Sequence, residues 1–145
     1  MATRRLLDIL LVEDDGLDAE LAIRGLEKHL VNKVNWVKDG LEALDFVFRR
    51  DRYSSRPDKT PDLILLDLKL PKLDGLSVLR AIRGHEPTQH IPVVVLTGSA
   101  NESDIVESYG LQVSDYVVKP LKFEDFAGVV SHAGFRWGLF MEEAD

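Results

Sequence analysis

The run Leu63–Leu66, with the sequence Leu-Ile-Leu-Leu and followed at once by Asp67, decides the fold. It contains no polar residue and no apolar–polar alternation, which is typical of a strand buried on both faces of a parallel sheet. A shorter and more polar run, Lys33–Val37, is expected to be an edge strand. The other three apolar runs, each bounded by acids, Pro or Gly, are Leu6–Val12, Ile91–Leu96 and Tyr116–Val118.

Segments with helical periodicity lie between these runs. Asp74 is placed to cap the helix that follows Leu63–Leu66. The apolar face of that helix consists of Gly75, Val78, Leu79 and Ile82. Strand–helix alternation repeated five times predicts an α/β domain, with a five-stranded parallel sheet and helices on both faces. The length of 145 residues and right-handed crossovers favour the flavodoxin-like strand order 2-1-3-4-5.

The last predicted helix continues beyond the domain. We expect the domain to span residues 1–127, and residues 128–145 to form a continuation of the helix and a C-terminal tail. Apolar residues follow one another along this helix in steps of three and four. The resulting stripe is longer than the helix needs to cover one sheet, so it predicts a homodimer contact. The stripe includes Phe123, Val130, Trp137 and Phe140. Earlier in the chain, the polar segment Arg49–Pro61 predicts an exposed loop.

The composition excludes several classes of function. A formal net charge of −7 repels phosphate backbones, which argues against nucleic-acid binding. The chain has no cysteine, so disulfides and thiolate chemistry are excluded. No apolar run approaches the roughly 20 residues of a membrane span, and the N-terminus lacks the pattern of a signal peptide. We therefore expect a cytoplasmic protein with no membrane contact.

Charged and hydroxyl side chains follow the predicted strands. Because the carboxyl ends of parallel strands meet at one edge of a sheet, these side chains are expected to converge. Taken singly, each is an ordinary strand-end or surface residue, and Asp15 is placed to cap the first helix. Together they are hard to explain by chance. The converging residues are Glu13, Asp14, Asp67, Thr97 and Lys119.

This cluster suits a divalent cation and a phosphoryl group. Neighbouring carboxylates raise one another's pKa unless a positive charge compensates. Clustered carboxylates, a backbone carbonyl and water are suitable ligands for Mg²⁺. A carboxylate such as Asp67 can attack phosphorus to form an acyl phosphate. The hydroxyl of Thr97 and the ammonium group of Lys119 would then bind the phosphoryl oxygens.

Four motifs resemble those of receiver domains of two-component response regulators. Their order and intervals match that family along nearly the whole chain. Each motif alone is moderately specific, but four in this order are highly specific. The motifs are Ile9–Asp15 (ILLVEDD), Leu65–Pro71 (LLDLKLP) with Asp74-Gly75, Val95–Ser99 (VLTGS) and Tyr116–Pro120 (YVVKP).

The resemblance implies a phosphoacceptor and a metal site. Asp67 would be the phosphoacceptor, and Glu13 and Asp14 the acid pair that binds Mg²⁺. The backbone carbonyl of Lys69 would complete the ligands that the protein supplies. Glu13 stands where the family more commonly has Asp, and a glutamate there should still bind the metal.

The resemblance also implies a switch. Thr97 and Tyr116 would form the switch pair, whose hydroxyl and ring move together when the phosphoryl group arrives. Lys119 would pair with that group, and the Lys119-Pro120 bond is expected to be cis. Gly98 and Lys69 occupy positions where the family varies. The residues at such positions affect the dephosphorylation rate, so the resemblance implies no particular rate.

The segment Arg49–Pro61 and the aromatic tail around Trp137 resemble those of regulators paired with phytochrome-type histidine kinases. The resemblance thus implies a signalling protein rather than an enzyme. It would accept phosphoryl groups from such a kinase, phosphorylate itself from small phosphodonors and dephosphorylate itself. The stretch after Lys119 has room for one helix and a tail, so we expect the signal to leave through protein contacts. The alternative is a receiver-like binding module, or a phosphorelay intermediate that serves a non-phytochrome kinase.

Two functions from other classes fit less well. An aspartate-dependent phosphatase generally needs a second carboxylate two residues after the nucleophile, where this chain has Lys69. A flavin-binding electron carrier of similar architecture needs a phosphate-binding loop after the first strand, where Glu13–Asp15 would repel phosphate.

Overall fold

A computed structural model describes residues 3–6, 8–27, 34–56, 60–99, 101–107, 109–122, 124–125, 128 and 140–143. The strands are β1 Thr3–Leu6, β2 Ile9–Val12, β3 Val34–Val37, β4 Leu63–Asp67, β5 Val93–Thr97, β6 Asp115–Val118 and β7 Phe140–Glu143. The α-helices within these ranges are α1 Gly16–Glu27, α2 Gly40–Val47, α3 Gly75–Arg83 and α4 Glu102–Glu107. None of the helices described has the length and apolar character needed to cross a membrane.

The main sheet has the strand order β3-β2-β4-β5-β6, and every neighbouring pair is parallel. Counted among its own five strands, this is the order 2-1-3-4-5, so the flavodoxin-like prediction is confirmed. The three inner strands, β2, β4 and β5, are buried at every position. Their burial on both faces explains why their sequences are apolar without alternation.

Alternate residues of each strand point to opposite faces of the sheet. On one face, Ile9 and Leu11 belong to a cluster with Ala19 of α1. On the other face, Leu10 and Val12 belong to a cluster with residues of α2, α3 and α4. Helices therefore cover both faces, as predicted.

The strand predicted over Leu6–Val12 is confirmed only over Ile9–Val12. β1 ends at Leu6 and β2 begins two residues after Leu7. Between them, the N–H of Asp8 donates to Asp62 Oδ2 at 2.8 Å. The carboxylate of Asp8 also accepts a hydrogen bond from Asn35 Nδ2 at 2.8 Å. A polar residue with two distant partners thus interrupts the apolar run.

The prediction of a helical stripe through Phe140 is wrong. Phe140 begins β7, which pairs antiparallel with β1 so that Phe140 lies opposite Leu6. These two strands form a separate two-stranded sheet, which the sequence pattern did not indicate. The other predicted dimer residues, Phe123, Val130 and Trp137, lie outside the described residues. The dimer contact and the domain boundary after residue 127 therefore remain predictions.

The prediction of an exposed loop over residues 49–61 is incomplete for residues 49–56, which the structure describes. Several of these residues are exposed, but a short 3-10 turn, Asp51–Tyr53, anchors the segment to α2. The Tyr53 hydroxyl donates to Glu42 Oε2 at 2.6 Å. The Arg56 guanidinium donates to the Phe46 carbonyl at 2.6 Å and lies 3.7 Å from the centre of the Phe46 ring. Hydrogen bonds and a cation–π contact thus attach the loop to the domain.

The turn after β4 brings α3 against the end of that strand. The Gly75 N–H donates to the Leu68 carbonyl at 3.0 Å. A Cβ at position 75 would lie 2.7 Å from Leu68 Cα and closer still to the backbone oxygen of Asp67, so only glycine permits this approach. Asp74 caps α3 as predicted, since its carboxylate accepts a hydrogen bond from the Ser77 N–H at 2.8 Å.

Replacing Gly75 with Ala should lower stability and displace the end of β4. We expect the free energy of unfolding to fall by about 1–3 kcal/mol, because the added methyl group overpacks against backbone. Gly25→Ala is the matched control, since Gly25 lies in α1 with open space where its Cβ would be. Alanine there should raise the free energy of unfolding by about 0.5–1 kcal/mol. Urea unfolding measures both free energies. If Gly75→Ala and Gly25→Ala changed stability to a similar extent, the close approach of α3 to the end of β4 would not require glycine.

Candidate functional site

The register of the parallel sheet brings the ends of four strands to one edge. Asp67 of β4 is in register with Leu96, and Thr97 of β5 with Val118. The Lys119 N–H continues this pairing by donating to the Thr97 carbonyl at 2.8 Å. The predicted residues gathered at this edge are therefore Glu13, Asp14, Asp67, Thr97 and Lys119.

Lys119 lies among three carboxylates. Its Nζ is 2.8 Å from Glu13 Oε1 and 2.9 Å from Asp67 Oδ2, and a third carboxylate, Asp18 Oδ2, is 3.3 Å away. Burial lowers the pKa of Lys119, but the hydrogen bonds to Glu13 and Asp67 outweigh burial and hold the pKa above its usual value. The lysine is therefore charged, and the cluster around it keeps an excess of negative charge.

Glu13 is held by its backbone and by its side chain. The Trp36 indole N–H donates to the Glu13 carbonyl at 2.8 Å, and the side chain is almost fully buried, with 2% exposed. The pKa of Glu13 is raised from 4.5 to about 7, first by burial and next by its hydrogen bond with Asp67, while Lys119 acts in the opposite direction. Lys119 therefore compensates the charge of Glu13 only in part.

Asp67 and Thr97 end neighbouring strands and are both buried. While Asp67 Oδ2 contacts Lys119, Asp67 Oδ1 accepts a hydrogen bond from the Lys69 N–H at 3.0 Å. Thr97 Oγ1 is buried and has no hydrogen-bond partner within the part of the chain that the structure describes. A buried hydroxyl costs free energy unless it forms a hydrogen bond, so an acceptor placed beside Thr97 would be bound favourably.

The carboxylates fit a divalent cation. Glu13, Asp14 and Asp67 each offer an oxygen, and these oxygens lie within 4.8 Å of one another. Two of these residues are buried and Asp14 is exposed, so the group opens toward solvent on one side. Oxygen ligands and excess negative charge are what a hard cation such as Mg²⁺ prefers. Lys69, predicted to supply a backbone carbonyl, lies at the same edge through its contact with Asp67.

Residues 9–131 match the family described as the response regulator receiver domain. The chain belongs to this family. The receiver is 40% identical over 130 residues to the probable methanogenesis regulatory protein FilR2 of Methanothrix harundinacea. This alignment covers 89% of the receiver and 82% of FilR2. It is 39% identical over 130 residues to the response regulator Rcp1 of Synechocystis, and this alignment covers 89% of the receiver and 87% of Rcp1.

Solved structures of similar proteins agree with the receiver fold. The bacteriophytochrome response regulator RtBRR superposes with a TM-score of 0.87 at 47% identity, over 92% of the receiver and 81% of that chain. A structure described as the Mn(2+)-bound form of Rcp1 has a TM-score of 0.70 at 39% identity, over 88% of the receiver and 90% of that chain.

The two residues of the predicted switch pair lie on neighbouring strands of the receiver. Thr97 ends β5, and Tyr116 lies in β6 in register with Val95. The partly buried Tyr116 ring packs against the core face formed with α2 and α3. Burial raises the pKa of Tyr116, and the charge of Glu107 adds to this effect. The Lys119-Pro120 bond is cis, as predicted.

Sequence reasoning missed two side chains of the receiver's site. Asp18, in the first turn of α1, contacts Lys119. The predicted cap at Asp15 already placed the first turn of α1 next to the end of β2, and it could have indicated Asp18. The structure confirms this cap, since Asp15 Oδ1 accepts a hydrogen bond from the Asp18 N–H at 2.9 Å. Trp36, which binds the Glu13 carbonyl, carries no such signal, since its place depends on the pairing of β2 with β3.

Replacing Glu13 with Gln should change how the stability of the receiver depends on pH. In the unfolded chain Glu13 ionises near 4.5, whereas in the folded protein it does so near 7. Because the folded pKa is the higher one, the stabilising contribution of Glu13 is fully present below pH 4.5 and is lost as the pH rises through 7. The Gln variant does not ionise. In buffer with a chelator, we expect it to be about 1–3 kcal/mol more stable than the wild type at pH 8.

Urea unfolding at pH 4, 6 and 8 measures this difference. We expect the free energies of unfolding of the two proteins to converge at pH 4 and to separate progressively toward pH 8. A difference that stays constant over this range would show that the ionisation of Glu13 is not its cause.

Proposed function

We propose that this receiver accepts a phosphoryl group on Asp67 from a phosphohistidine of a histidine kinase, and that it signals through contacts with other proteins. The setting of Asp67 carries this proposal. Its buried carboxylate lies 2.9 Å from Lys119 Nζ, at the end of the strand beside Thr97, whose hydroxyl has no partner among the described residues. A phosphoryl group on Asp67 would bring oxygen acceptors to both donors.

The transfer depends more on position and charge than on covalent chemistry by other residues. An oxygen of Asp67 attacks phosphorus while the phosphorus–nitrogen bond of the phosphohistidine breaks. The imidazole leaves with the bonding electrons and takes up a proton from solvent. The product is an acyl phosphate, which water later attacks, releasing inorganic phosphate and restoring the carboxylate. A small phosphodonor such as acetyl phosphate reacts by the same displacement, with acetate leaving.

The proposal includes Mg²⁺, held by the carboxylates of Glu13, Asp14 and Asp67 and by the backbone carbonyl of Lys69. When bound, Mg²⁺ neutralises charge on the phosphoryl oxygens. The spacing of the three carboxylates within 4.8 Å supports this role, as does the description of a Rcp1 structure as Mn(2+)-bound. Lys119 supplies the second positive charge and is already placed against Asp67.

The signal begins with the charge that the phosphoryl group adds. The Thr97 hydroxyl and Lys119 turn toward the new oxygens, which draws the loop after Thr97 toward Asp67. Tyr116, partly buried in β6, then turns toward the space that the loop leaves. The surface formed by α4, β6 and the segment after β6 changes as a result. This is a shift between two populated states, driven by contacts that are stronger in one of them.

The proposed phosphodonor is a phytochrome-type histidine kinase. Two structures at 47% identity, RtBRR and AtBRR, are described as bacteriophytochrome response regulators, and each covers 92% of this chain. A structure of the phosphorylated cyanobacterial phytochrome response regulator RcpA also matches, at 38% identity. This similarity extends over nearly the whole chain, which supports a donor of the same kind for this receiver.

Acetyl phosphate with Mg²⁺ should phosphorylate the wild type but not the Asp67→Asn variant, because the amide is a poor nucleophile. Intact mass spectrometry measures the added phosphoryl group, and omission of Mg²⁺ should greatly slow its addition. Asp74→Asn is the matched control, since asparagine caps a helix as well as aspartate does and the phosphoacceptor stays in place. Equal labelling of the Asp67→Asn variant and the wild type would remove Asp67 from its proposed role.

A purified phytochrome-type histidine kinase, loaded with radioactive phosphate, should transfer it to the wild type at least about tenfold faster than a histidine kinase of another type. The Asp67→Asn variant is the control for site-specific transfer. Equal or slower transfer from the phytochrome-type kinase would overturn the proposed partner and leave the phosphoacceptor role standing.

A further inference from the structure

The first residue of α4, Glu102, links the two loops that flank the proposed phosphoacceptor. Its Oε2 accepts a hydrogen bond from the Gly98 N–H at 3.4 Å, and its Oε1 lies 3.7 Å from Lys69 Nζ. Gly98 directly follows Thr97, while the backbone of Lys69 contacts Asp67. One carboxylate therefore connects the loop after β5 with the loop after β4.

Both contacts of Glu102 are weak. The hydrogen bond to Gly98 is long. The side chain of Lys69 is 82% exposed and that of Glu102 22%, and ion pairs that are open to solvent contribute little to stability. Contacts of this strength are easily exchanged for others, which suits a group that holds a loop in only one of its states.

The partners of Glu102 are hydrogen-bond donors on the two loops that flank Asp67. A phosphoryl group converts the singly charged carboxylate of Asp67 into an acyl phosphate that carries up to two negative charges and offers three phosphoryl oxygens as acceptors. Lys119 and the Thr97 hydroxyl can serve some of these oxygens. The Gly98 N–H and the Lys69 ammonium group are further donors on the same two loops, and Glu102 holds both of them in the structure described here. Its own negative charge also opposes the arrival of another anion.

We propose that Glu102 is a positioning residue that occupies the Gly98 N–H and the Lys69 ammonium group in the unphosphorylated protein and releases them to the phosphoryl group. Glu102 thereby slows phosphorylation of Asp67, and phosphorylation in turn breaks its contacts, because the phosphoryl oxygens compete with its carboxylate for the same donors. The inference rests on the proposed role of Asp67 as phosphoacceptor. It adds a built-in competitor for the donors of that site.

A purely structural role makes a different prediction. Glu102 lies in the first turn of α4, where a negative charge favours the helix N-terminus. Substitution would then change stability without a specific effect on phosphorylation. Glu102→Gln separates the two roles, because glutamine keeps the shape and the hydrogen-bond acceptor but loses the charge. Glu86→Gln is the matched control, since exposed Glu86 precedes β5 at the opposite edge of the sheet and its loss changes the net charge equally.

The experiment measures the rate of phosphorylation by acetyl phosphate with Mg²⁺, followed by intact mass spectrometry. We expect Glu102→Gln to react about two- to fivefold faster than the wild type at low salt, which corresponds to the loss of a solvent-exposed ion pair. Glu86→Gln should react at the wild-type rate. In a Lys69→Met background, the acceleration by Glu102→Gln should be smaller, because one of the two donors is gone.

The dependence on salt completes the test. At 1 M salt the Debye length is only about 3 Å, so the ratio of the Glu102→Gln rate to the wild-type rate should fall toward one. A ratio near one at low salt would overturn the inference, and so would a ratio that salt does not change or an equal effect of Glu86→Gln. Peptide mapping distinguishes failure of the role of Glu102 from failure of the proposed function. If the wild type is not labelled on Asp67, both proposals fail. If the wild type and Glu102→Gln are both labelled on Asp67 and at equal rates, only the role of Glu102 is removed.

Discussion

One ammonium group, that of Lys119, holds together carboxylates that the sheet forces into one place. Parallel pairing makes β2, β4 and β6 end at the same edge, so Glu13 and Asp67 meet there despite their like charges. Lys119 contacts both at 2.8 and 2.9 Å, yet the pKa of Glu13 is still raised to about 7. The folded chain therefore carries uncompensated negative charge at this edge, and the proposed binding of Mg²⁺ rests on that excess.

Rigid packing keeps this arrangement in place. The inner strands are buried at every position, and close-packed interiors resist small displacements. Around the site, Gly75 lets α3 approach the backbone at Asp67, and Trp36 holds the carbonyl of Glu13. The proposed nucleophile is thus fixed by groups that take no part in the chemistry, which lowers the cost of bringing a phosphodonor into line.

The side of the site around Thr97 is held by weaker contacts. Thr97 lacks a partner for its hydroxyl among the described residues, the side-chain contacts of Glu102 with Gly98 and Lys69 are long or exposed, and Tyr116 is partly buried. Thr97 is the last residue of β5, Glu102 follows the loop after β5, and Tyr116 lies in β6, which pairs with β5. In the proposed function, a strong anchor at Asp67 and weak contacts around Thr97 would together let a local charge change a distant surface without unfolding the core.

The sequence by itself determined the five-stranded sheet and the residues at its edge. Strands buried on both faces are continuously apolar, and a polar residue that directly follows such a run, as Asp67 does, lies where the parallel strands end. Only the tertiary structure decided the break at Asp8, the strand that contains Phe140, and the contacts of Asp18 and Trp36 with the site. Each of these depends on pairing between segments far apart in the chain. Local periodicity records which face of an element is buried, but it does not record which distant segment buries it.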